Sequence, residues 1–233
     1  MIKSDVIYTG NLVKFGSVIA REIIRIAQNN IAEKGSFFMA TSGGSTPIPV
    51  FAELRKEKYL KLLDWSKMYL FFIDERCVPI DHDDNNYKFC YDNWLKYNPD
   101  INCSRIESWL DPREAAKNYE LKIESILDNN NGIPQFDLIF MGMGEDGHIA
   151  SLFPEYNFGM NNNRLVDNLF VKALNKNRIS MMLPIIKNAQ CRIIGILGKK
   201  KKRIFKGLGT KEYAYYPVSQ MLTANGKNTW VIN

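Results

Sequence analysis

The sequence predicts an α/β fold: a single domain with a mostly parallel, Rossmann-like sheet and helices on both of its faces. Strands that are covered on both faces of a sheet consist almost entirely of apolar residues. Three segments have this composition, at residues 36–40, 68–73 and 136–141. Helical segments separate these strands along the chain, and such alternation is typical of parallel sheets. Three further strands are predicted towards the C-terminus, at residues 179–183, 192–197 and 228–232.

The helices are predicted from apolar residues that recur every three or four positions. Residues 15–30 and 111–127 both have this spacing, which places their apolar side chains on one face. Another helix is expected to begin near Pro47, because proline suits the first turn of a helix. Two asparagine clusters, at 129–131 and 161–163, lie between periodic segments and are predicted to be exposed loops.

Length and composition are those of an ordinary globular protein. The 233 residues are 45% hydrophobic and 24% charged, and one domain is expected over residues 1–233. No apolar run reaches the roughly 18 residues that cross a membrane, and the first residues lack the pattern of a secretory signal. None of the four cysteines lies in a C-x-x-C pair, so a cytoplasmic protein with reduced thiols and no metal site is predicted. The net charge of +6 suits an anionic substrate.

Three polar motifs directly follow the three predicted buried strands. They occupy residues 41–47, 74–76 and 144–148. In open α/β sheets, ligands bind in the crevice at the carboxyl ends of the strands. Since all three motifs lie at such ends, we expect them to converge on one binding site.

The first motif has the features of a phosphate-binding loop. Gly43 and Gly44 allow the backbone to approach a ligand, and with Ser45 they precede the helix expected at Pro47, whose free amides attract a phosphate. The alternative is a helix that a serine or threonine caps after a glycine turn, with no ligand. Neither the P-loop nor the dinucleotide-binding pattern is present, which argues against ATP and NAD.

The second motif supplies a cation, and the third supplies a candidate general base. Arg76 can bind phosphate oxygens in bidentate geometry, while the adjacent acids are expected to hold loops or the arginine itself. If residues 149–153 form a short helix, His148 stands at its N-terminus, where the helix dipole favours the neutral imidazole that a general base requires. Asp146 can accept a hydrogen bond from the other ring nitrogen and so fix the tautomer. The alternatives are a structural ion-pair cluster around Arg76 and a histidine that caps a turn.

Two further charged segments allow several interpretations. The acidic run at 81–84 contains His82 and is predicted to be a solvated loop, not a metal site. The basic run at 199–203 fits a solvated helix start, a nucleic-acid patch, or a single lysine that reaches into the crevice. No nucleic-acid-binding motif occurs elsewhere, so neither a nucleic acid nor a membrane is expected as a partner.

Together these motifs resemble the 6-phosphogluconolactonase family. The match extends over nearly the whole chain in the expected order, and its third motif is the most specific. The related glucosamine-6-phosphate deaminases share an Asp-Gly-His turn, but theirs typically continues into Ala-Phe-Asn-Glu-Pro, unlike residues 150–154 here. The matching segments are residues 42–47 (SGGSTP), 74–79 (DERCVP), 86–87 (NY), 142–154 (GMGEDGHIASLFP), 178–186 (RISMMLPII), 198–201 (GKKK) and 229–230 (TW).

The resemblance implies hydrolysis of 6-phospho-D-glucono-1,5-lactone to 6-phospho-D-gluconate in the oxidative pentose phosphate pathway, with no metal or organic cofactor. It implies that His148 activates water and that Asp146 orients His148. The sequence does not identify the donors to the oxyanion; backbone amides near Gly43 and Gly44 are candidates. The residues implied to bind the substrate are Gly43, Gly44, Ser45, Arg76, Arg178 and Lys201.

Two other functions remain open on the same fold. One is a sugar-phosphate isomerase or deaminase, and the other is a non-catalytic sugar-phosphate sensor, which has no use for the pair His148 and Asp146. Some unicellular parasites carry the lactonase domain fused to glucose-6-phosphate dehydrogenase, so this chain fits either a free enzyme or an excised domain. It departs from the family at residues 174–177, where a proline-rich stretch is usual.

Overall fold

The computed structural model describes residues 3–130, 132–155 and 164–233. The asparagine cluster at 161–163, predicted to be a loop, lies outside the described residues. The strands, numbered in chain order, are β1 Lys3–Tyr8, β2 Phe37–Thr41, β3 Met68–Phe72, β4 Asp74–Arg76, β5 Asn102–Ser104, β6 Asn129–Asn130, β7 Ile133–Pro134, β8 Leu138–Gly142, β9 Val166–Val171, β10 Lys176–Met181, β11 Cys191–Ile196 and β12 Lys227–Ile232. The α-helices are α1 Leu12–Lys34, α2 Ile48–Leu54, α3 Glu57–Leu60, α4 Asn86–Asn93, α5 Pro112–Ile126, α6 Leu183–Asn188 and α7 Lys199–Gly207.

Seven of the strands form one sheet, in the order β1-β12-β11-β8-β2-β3-β5. Every neighbouring pair in this sheet is parallel. Helices flank the sheet, and its middle strands β2 and β8 are buried almost throughout. The predicted fold class is therefore confirmed. Among the described helices, none is long and apolar enough to cross a membrane.

The helices predicted at residues 15–30, 111–127 and near Pro47 are present as α1, α5 and α2, and side-chain caps decide where α1 and α5 begin. Helix α1 starts at Leu12 because the side chain of Asn11 accepts a hydrogen bond from the amide of Lys14 at 2.8 Å. Helix α5 starts after Asp111, whose carboxylate accepts hydrogen bonds from the amides of Arg113 and Glu114. Such caps satisfy amides that have no partner within the helix. Periodic apolar residues identify the helices, but these polar contacts set their ends.

Two segments differ from the predictions. The strand expected at residues 179–183 is β10, which ends at Met181 and belongs to a second, antiparallel sheet in the order β4-β10-β9. In that sheet Arg178 lies opposite Arg76. The first two residues of the cluster at 129–131 form β6, which pairs with β7 in a short hairpin instead of a loop. The periodicity of a segment predicts a strand but not the strand with which it pairs.

The strand order reverses between β2 and β8. From β2 the sheet extends to β3 and β5, while from β8 it extends in the opposite direction to β11, β12 and β1. At such a point the loops after the two strands diverge and leave a crevice at their carboxyl ends. The first and third polar motifs are these two loops.

A buried carboxylate ties helix α4 to the second motif. Glu75, on β4, is 0% exposed. It accepts hydrogen bonds from the amides of Arg76, Asn86 and Tyr87 at 2.8, 2.7 and 2.9 Å. Burial raises the pKa of Glu75 to about 7, although these three hydrogen bonds act to lower it. The expectation that an acid of this motif holds a loop is confirmed for Glu75.

Replacing Glu75 by Gln should change how the stability of the protein depends on pH. Because the pKa is raised from 4.5 to about 7 in the folded protein, folding favours the protonated carboxyl. Its contribution to the free energy of unfolding is therefore fully present below about pH 4.5 and is lost as the pH rises through about 7. The difference in this free energy, wild type minus Glu75→Gln, should fall by about 3 kcal/mol from pH 4.5 to pH 8.

Urea unfolding of both proteins across that pH range measures the difference directly, since other titrating groups cancel in the comparison. A difference that stays constant, or that grows with pH, contradicts the assignment of a buried carboxyl whose ionisation is costly.

Candidate active site

An open cleft of about 210 Å³ lies at the carboxyl ends of β2 and β8. All three polar motifs contribute to its wall, and so does α7, which carries the basic run. The prediction that the motifs converge is thereby confirmed. Asp146 lies behind His148, and Arg178 lies beside Arg76. The predicted site residues that line the cleft are Gly43, Gly44, Ser45, Arg76, His148 and Lys201.

The third motif folds into a tight turn that presents His148 to the cleft. The amide of Gly144 donates to the carbonyl of His148 at 2.8 Å, which closes the turn. Within it, Nδ1 of His148 lies 2.6 Å from Oδ1 of Asp146. A Cβ atom on Gly144 would lie 2.2 Å from Nδ1 of His148 and 2.5 Å from Oδ1 of Asp146. Only glycine therefore allows this pair to form over the backbone at position 144.

Residues 149–153 do not form a short helix, so the condition for the helix-dipole argument is not met. Ile149 and Leu152 instead form an isolated bridge around a turn, in which Ala150 has a φ of 50°. His148 consequently does not stand at a helix N-terminus, and the helix-dipole argument for its neutral form does not apply. The ring of Phe153 packs against the imidazole instead, with 4.3 Å between the ring centroids.

Asp146 selects the tautomer of His148. Burial raises the pKa of Asp146, but the hydrogen bond and the charge of His148 outweigh it, so the pKa lies below its usual value. The carboxylate is therefore ionised at neutral pH and can only accept a proton from Nδ1. With the hydrogen on Nδ1, a neutral imidazole carries its free lone pair on Nε2. This arrangement can take a proton from a water molecule in the cleft.

Two guanidinium groups lie side by side across the antiparallel sheet. Arg178 on β10 is paired in register with Arg76 on β4. The Nε atoms of both are buried, and neither has a hydrogen-bond partner among the described residues. Burial, followed by the charge of Arg76, lowers the pKa of Arg178. Two neighbouring cations with unused donors favour an anion between them.

Helix α7 directs one lysine of its basic run into the cleft. Lys201 is partly buried there, and burial lowers its pKa, although Glu145 and Asp146 act to raise it. Lys200 instead forms an exposed ion pair with Glu145 at 2.8 Å. Of the interpretations of the basic run, this placement agrees with a single lysine that reaches into the crevice.

The glycine loop also lines the cleft. Gly44 has a φ of 78°, a conformation that glycine adopts without strain. The loop is joined to β8, because the hydroxyl of Ser42 accepts a hydrogen bond from the amide of Gly142 at 3.3 Å. Helix α2 begins at Ile48, directly after Pro47, and no side chain caps it. The alternative of a serine or threonine cap therefore finds no support, and the loop is free to hold a ligand.

Sequence reasoning missed two residues of the cleft wall. Asp74 and Asn86 both line it and are buried. The amide group of Asn86 donates to the carbonyl of Asp74 at 2.9 Å, and Ser151 donates to the carboxylate of Asp74 at 2.8 Å. Asn86 was part of a matched segment, but its contacts with Glu75 and Asp74, formed across 11 and 12 residues of sequence, bring it to the cleft.

The acidic run at 81–84 is exposed, as predicted. Over the described ranges, no cluster of three or more His, Cys, Asp or Glu side chains could hold a metal ion. His82 uses its Nδ1 atom to accept a hydrogen bond from the amide of Asp84 at 3.0 Å.

Comparisons with known proteins agree with this geometry. The family model described as "Glucosamine-6-phosphate isomerases/6-phosphogluconolactonase" matches residues 13–230. A rice protein (Oryza sativa subsp. indica), named "Probable 6-phosphogluconolactonase 4, chloroplastic", is 32% identical over 227 residues, covering 91% of this chain and 69% of its own. The human "GDH/6PGL endoplasmic bifunctional protein" is 29% identical over 227 residues, which cover 93% of this chain and 28% of the human protein.

Among solved structures, the 6-phosphogluconolactonase from Trypanosoma cruzi superimposes with a TM-score of 0.87 at 27% identity. The match covers 100% of this chain and 95% of that one. With the family model covering nearly the whole sequence, these relationships are unambiguous: the chain belongs to the glucosamine-6-phosphate isomerase/6-phosphogluconolactonase family.

Proposed function

We propose that this protein hydrolyses 6-phospho-D-glucono-1,5-lactone to 6-phospho-D-gluconate, a step of the oxidative pentose phosphate pathway. The observation that carries the proposal is the 2.6 Å pairing of His148 with Asp146 in a cleft that also holds Arg76 and Lys201. A base and an anion site in one cleft suit a phosphorylated ester. The lactonase names of the relatives support the same reaction.

In this mechanism His148 acts first as a base and then as an acid. Its Nε2 atom takes a proton from water, and the oxygen of that water forms a bond to the lactone carbonyl carbon. Asp146 stabilises the imidazolium that results, as the aspartate of a catalytic triad does. When the tetrahedral intermediate collapses, the bond between the carbonyl carbon and the ring oxygen breaks. The ring oxygen leaves with the proton from His148, so the neutral base is restored.

The remaining site residues bind the substrate. Arg76, Arg178 and Lys201 hold the phosphate, with amides of the loop at Gly44 and Ser45 completing its contacts. Amides near Gly43 and Gly44 stabilise the oxyanion. Binding the remote phosphate positions the reacting carbonyl next to His148.

Two features favour the lactonase over the alternatives on this fold. The turn continues into residues 150–154, Ala-Ser-Leu-Phe-Pro, where the deaminases typically have Ala-Phe-Asn-Glu-Pro. A sensor that only binds sugar phosphates has no need for an oriented base, so the pair of His148 and Asp146 argues against it.

We infer that the protein acts in the cytoplasm. We also infer that it is fused to a glucose-6-phosphate dehydrogenase or associates with one. All four cysteines are free thiols, which fits a reducing compartment. The human relative is named a bifunctional protein, and this chain matches 28% of its length. Imaging the tagged protein and sizing it on an immunoblot of native extract test both assignments.

The direct test of the reaction is to generate the lactone enzymatically and to follow 6-phosphogluconate formation. Wild-type protein should accelerate it above the spontaneous rate, and a chelator should not change this activity, because no metal takes part. Ammonia release from glucosamine 6-phosphate without lactone opening would favour the deaminase. Activity that is lost on chelation and restored by zinc would contradict the metal-free mechanism.

Replacing His148 by Ala should lower kcat by a factor of about 10² to 10⁴, because the general base is lost. Asp146→Asn should cost less, because the base remains and only its tautomer and orientation are disturbed. Steady-state kinetics of both variants, with thermal unfolding to check that they fold, measure the effect. Near wild-type turnover without His148 would rule out the mechanism.

Replacing Lys201 by Ala should weaken 6-phosphogluconate binding roughly tenfold or more, since a charge-assisted hydrogen bond to the phosphate is lost. The triple change of Lys199, Lys200 and Lys202 to Ala is the matched control. It should have little effect, because exposed charges are screened over about 8–10 Å at physiological salt. Calorimetric titration compares the variants, and equal affinities of wild type and Lys201→Ala would contradict the assignment.

A further inference from the structure

We propose that the acidic loop, residues 81–84, positions the guanidinium of Arg76 and thereby sets the preference of the site for a phosphorylated substrate. This inference rests on the proposed function, because it concerns the phosphate contact of the same cleft. It assigns a role to a segment that neither the catalytic pair nor the phosphate loop accounts for.

The loop reaches Arg76 through its backbone. Nη1 of Arg76 donates a hydrogen bond to the carbonyl oxygen of Asp84 at 2.5 Å. A guanidinium has five N–H donors in a fixed fork, so this bond sets its direction and leaves the other donors available. The buried Nε atom of Arg76 is one of these unused donors. The carbonyl of Asp84 thus orients the fork through Nη1 and leaves the Nε donor unused.

Asp84 is itself held from two sides. Its carboxylate accepts a hydrogen bond from Nζ of Lys176 at 3.0 Å, and this contact lowers the pKa of Asp84. Its amide donates to Nδ1 of His82 at 3.0 Å. Lys176 lies on β10, two residues before Arg178, so one strand carries both a phosphate-site cation and the anchor of the loop.

Repulsion explains why Arg76 needs such a support. Arg178 lies opposite it across β4 and β10, and two guanidinium groups at this register repel each other until an anion arrives. A fixed carbonyl acceptor keeps the guanidinium of Arg76 in place while no anion is bound. The carboxylate of Asp84 is meanwhile paired with Lys176, away from the negative charge of a bound phosphate.

The decisive variant is Asp84→Ala, because two explanations predict opposite signs. If the loop acts only through its charge, removing a carboxylate near the anion site should strengthen phosphate binding. If the loop positions Arg76, the loss of the Lys176 anchor should weaken it. We expect 6-phosphogluconate affinity to fall about two- to fivefold, the range for one exposed ion pair, and Lys176→Met to behave alike.

Matched controls come from the same loop and the adjacent helix. Asp83→Ala and Lys88→Met break another exposed ion pair, of 3.1 Å, that does not contact Arg76. They remove the same charges and should leave binding within the error of wild type. The conservative change Lys176→Arg should restore the affinity, because it keeps a donor for Asp84.

The experiment measures two quantities for each variant. The first is the affinity for 6-phosphogluconate against gluconate, which needs no turnover and remains informative if the wild type is not a lactonase. The second is kcat/KM on the phosphorylated lactone against D-glucono-1,5-lactone. Asp84→Ala should reduce the phosphate preference about two- to fivefold in both, with the reaction of the unphosphorylated lactone unchanged. Stronger binding by Asp84→Ala, an equal loss on both lactones, or the same loss in Asp83→Ala would overturn the proposal.

Discussion

The hydrogen bond between Asp146 and His148 is the contact on which the chemistry of this cleft depends. It forms between residues two apart, inside a turn that the Gly144 amide closes on the carbonyl of His148. The missing side chain at Gly144 leaves space for both partners. Because the pair is local, its geometry is set by one turn, and the rest of the fold has only to deliver that turn to the end of β8.

The anion site also requires several cationic side chains whose charge is not neutralised by neighbouring carboxylates. Arg76 from β4 and Lys201 from α7 line the cleft, and Arg178 from β10 lies beside Arg76. The nearby acids are engaged elsewhere: Glu75 accepts three backbone amides, and Asp74 accepts the hydroxyl of Ser151. Burial, followed by the neighbouring charge of Arg76, lowers the pKa of Arg178.

The two sheets contribute different parts of the site. The parallel sheet provides the crevice at its reversal of strand order, where the catalytic turn and the glycine loop meet. The small antiparallel sheet carries the paired arginines Arg76 and Arg178 and the anchor Lys176. Buried Glu75 connects that sheet to α4 and so brings Asn86 to the cleft. The general base therefore follows a strand of the parallel sheet, the paired arginines lie on the antiparallel sheet, and the two sheets meet at the cleft.

The sequence by itself determined the α/β class, the parallel sheet and the edge where the motifs meet, because apolar strands and the polar loops after them are local patterns. It also pointed to His148 and Asp146, whose contact spans two residues. It left open the conformation of residues 149–153, where a bridge between Ile149 and Leu152 forms in place of a helix that is too short to be stable alone. Only the tertiary structure decided the antiparallel sheet, the pairing of Arg76 with Arg178 and the burial of Glu75. Those contacts join residues far apart in the chain, and their free energy comes from packing and desolvation that no local pattern records.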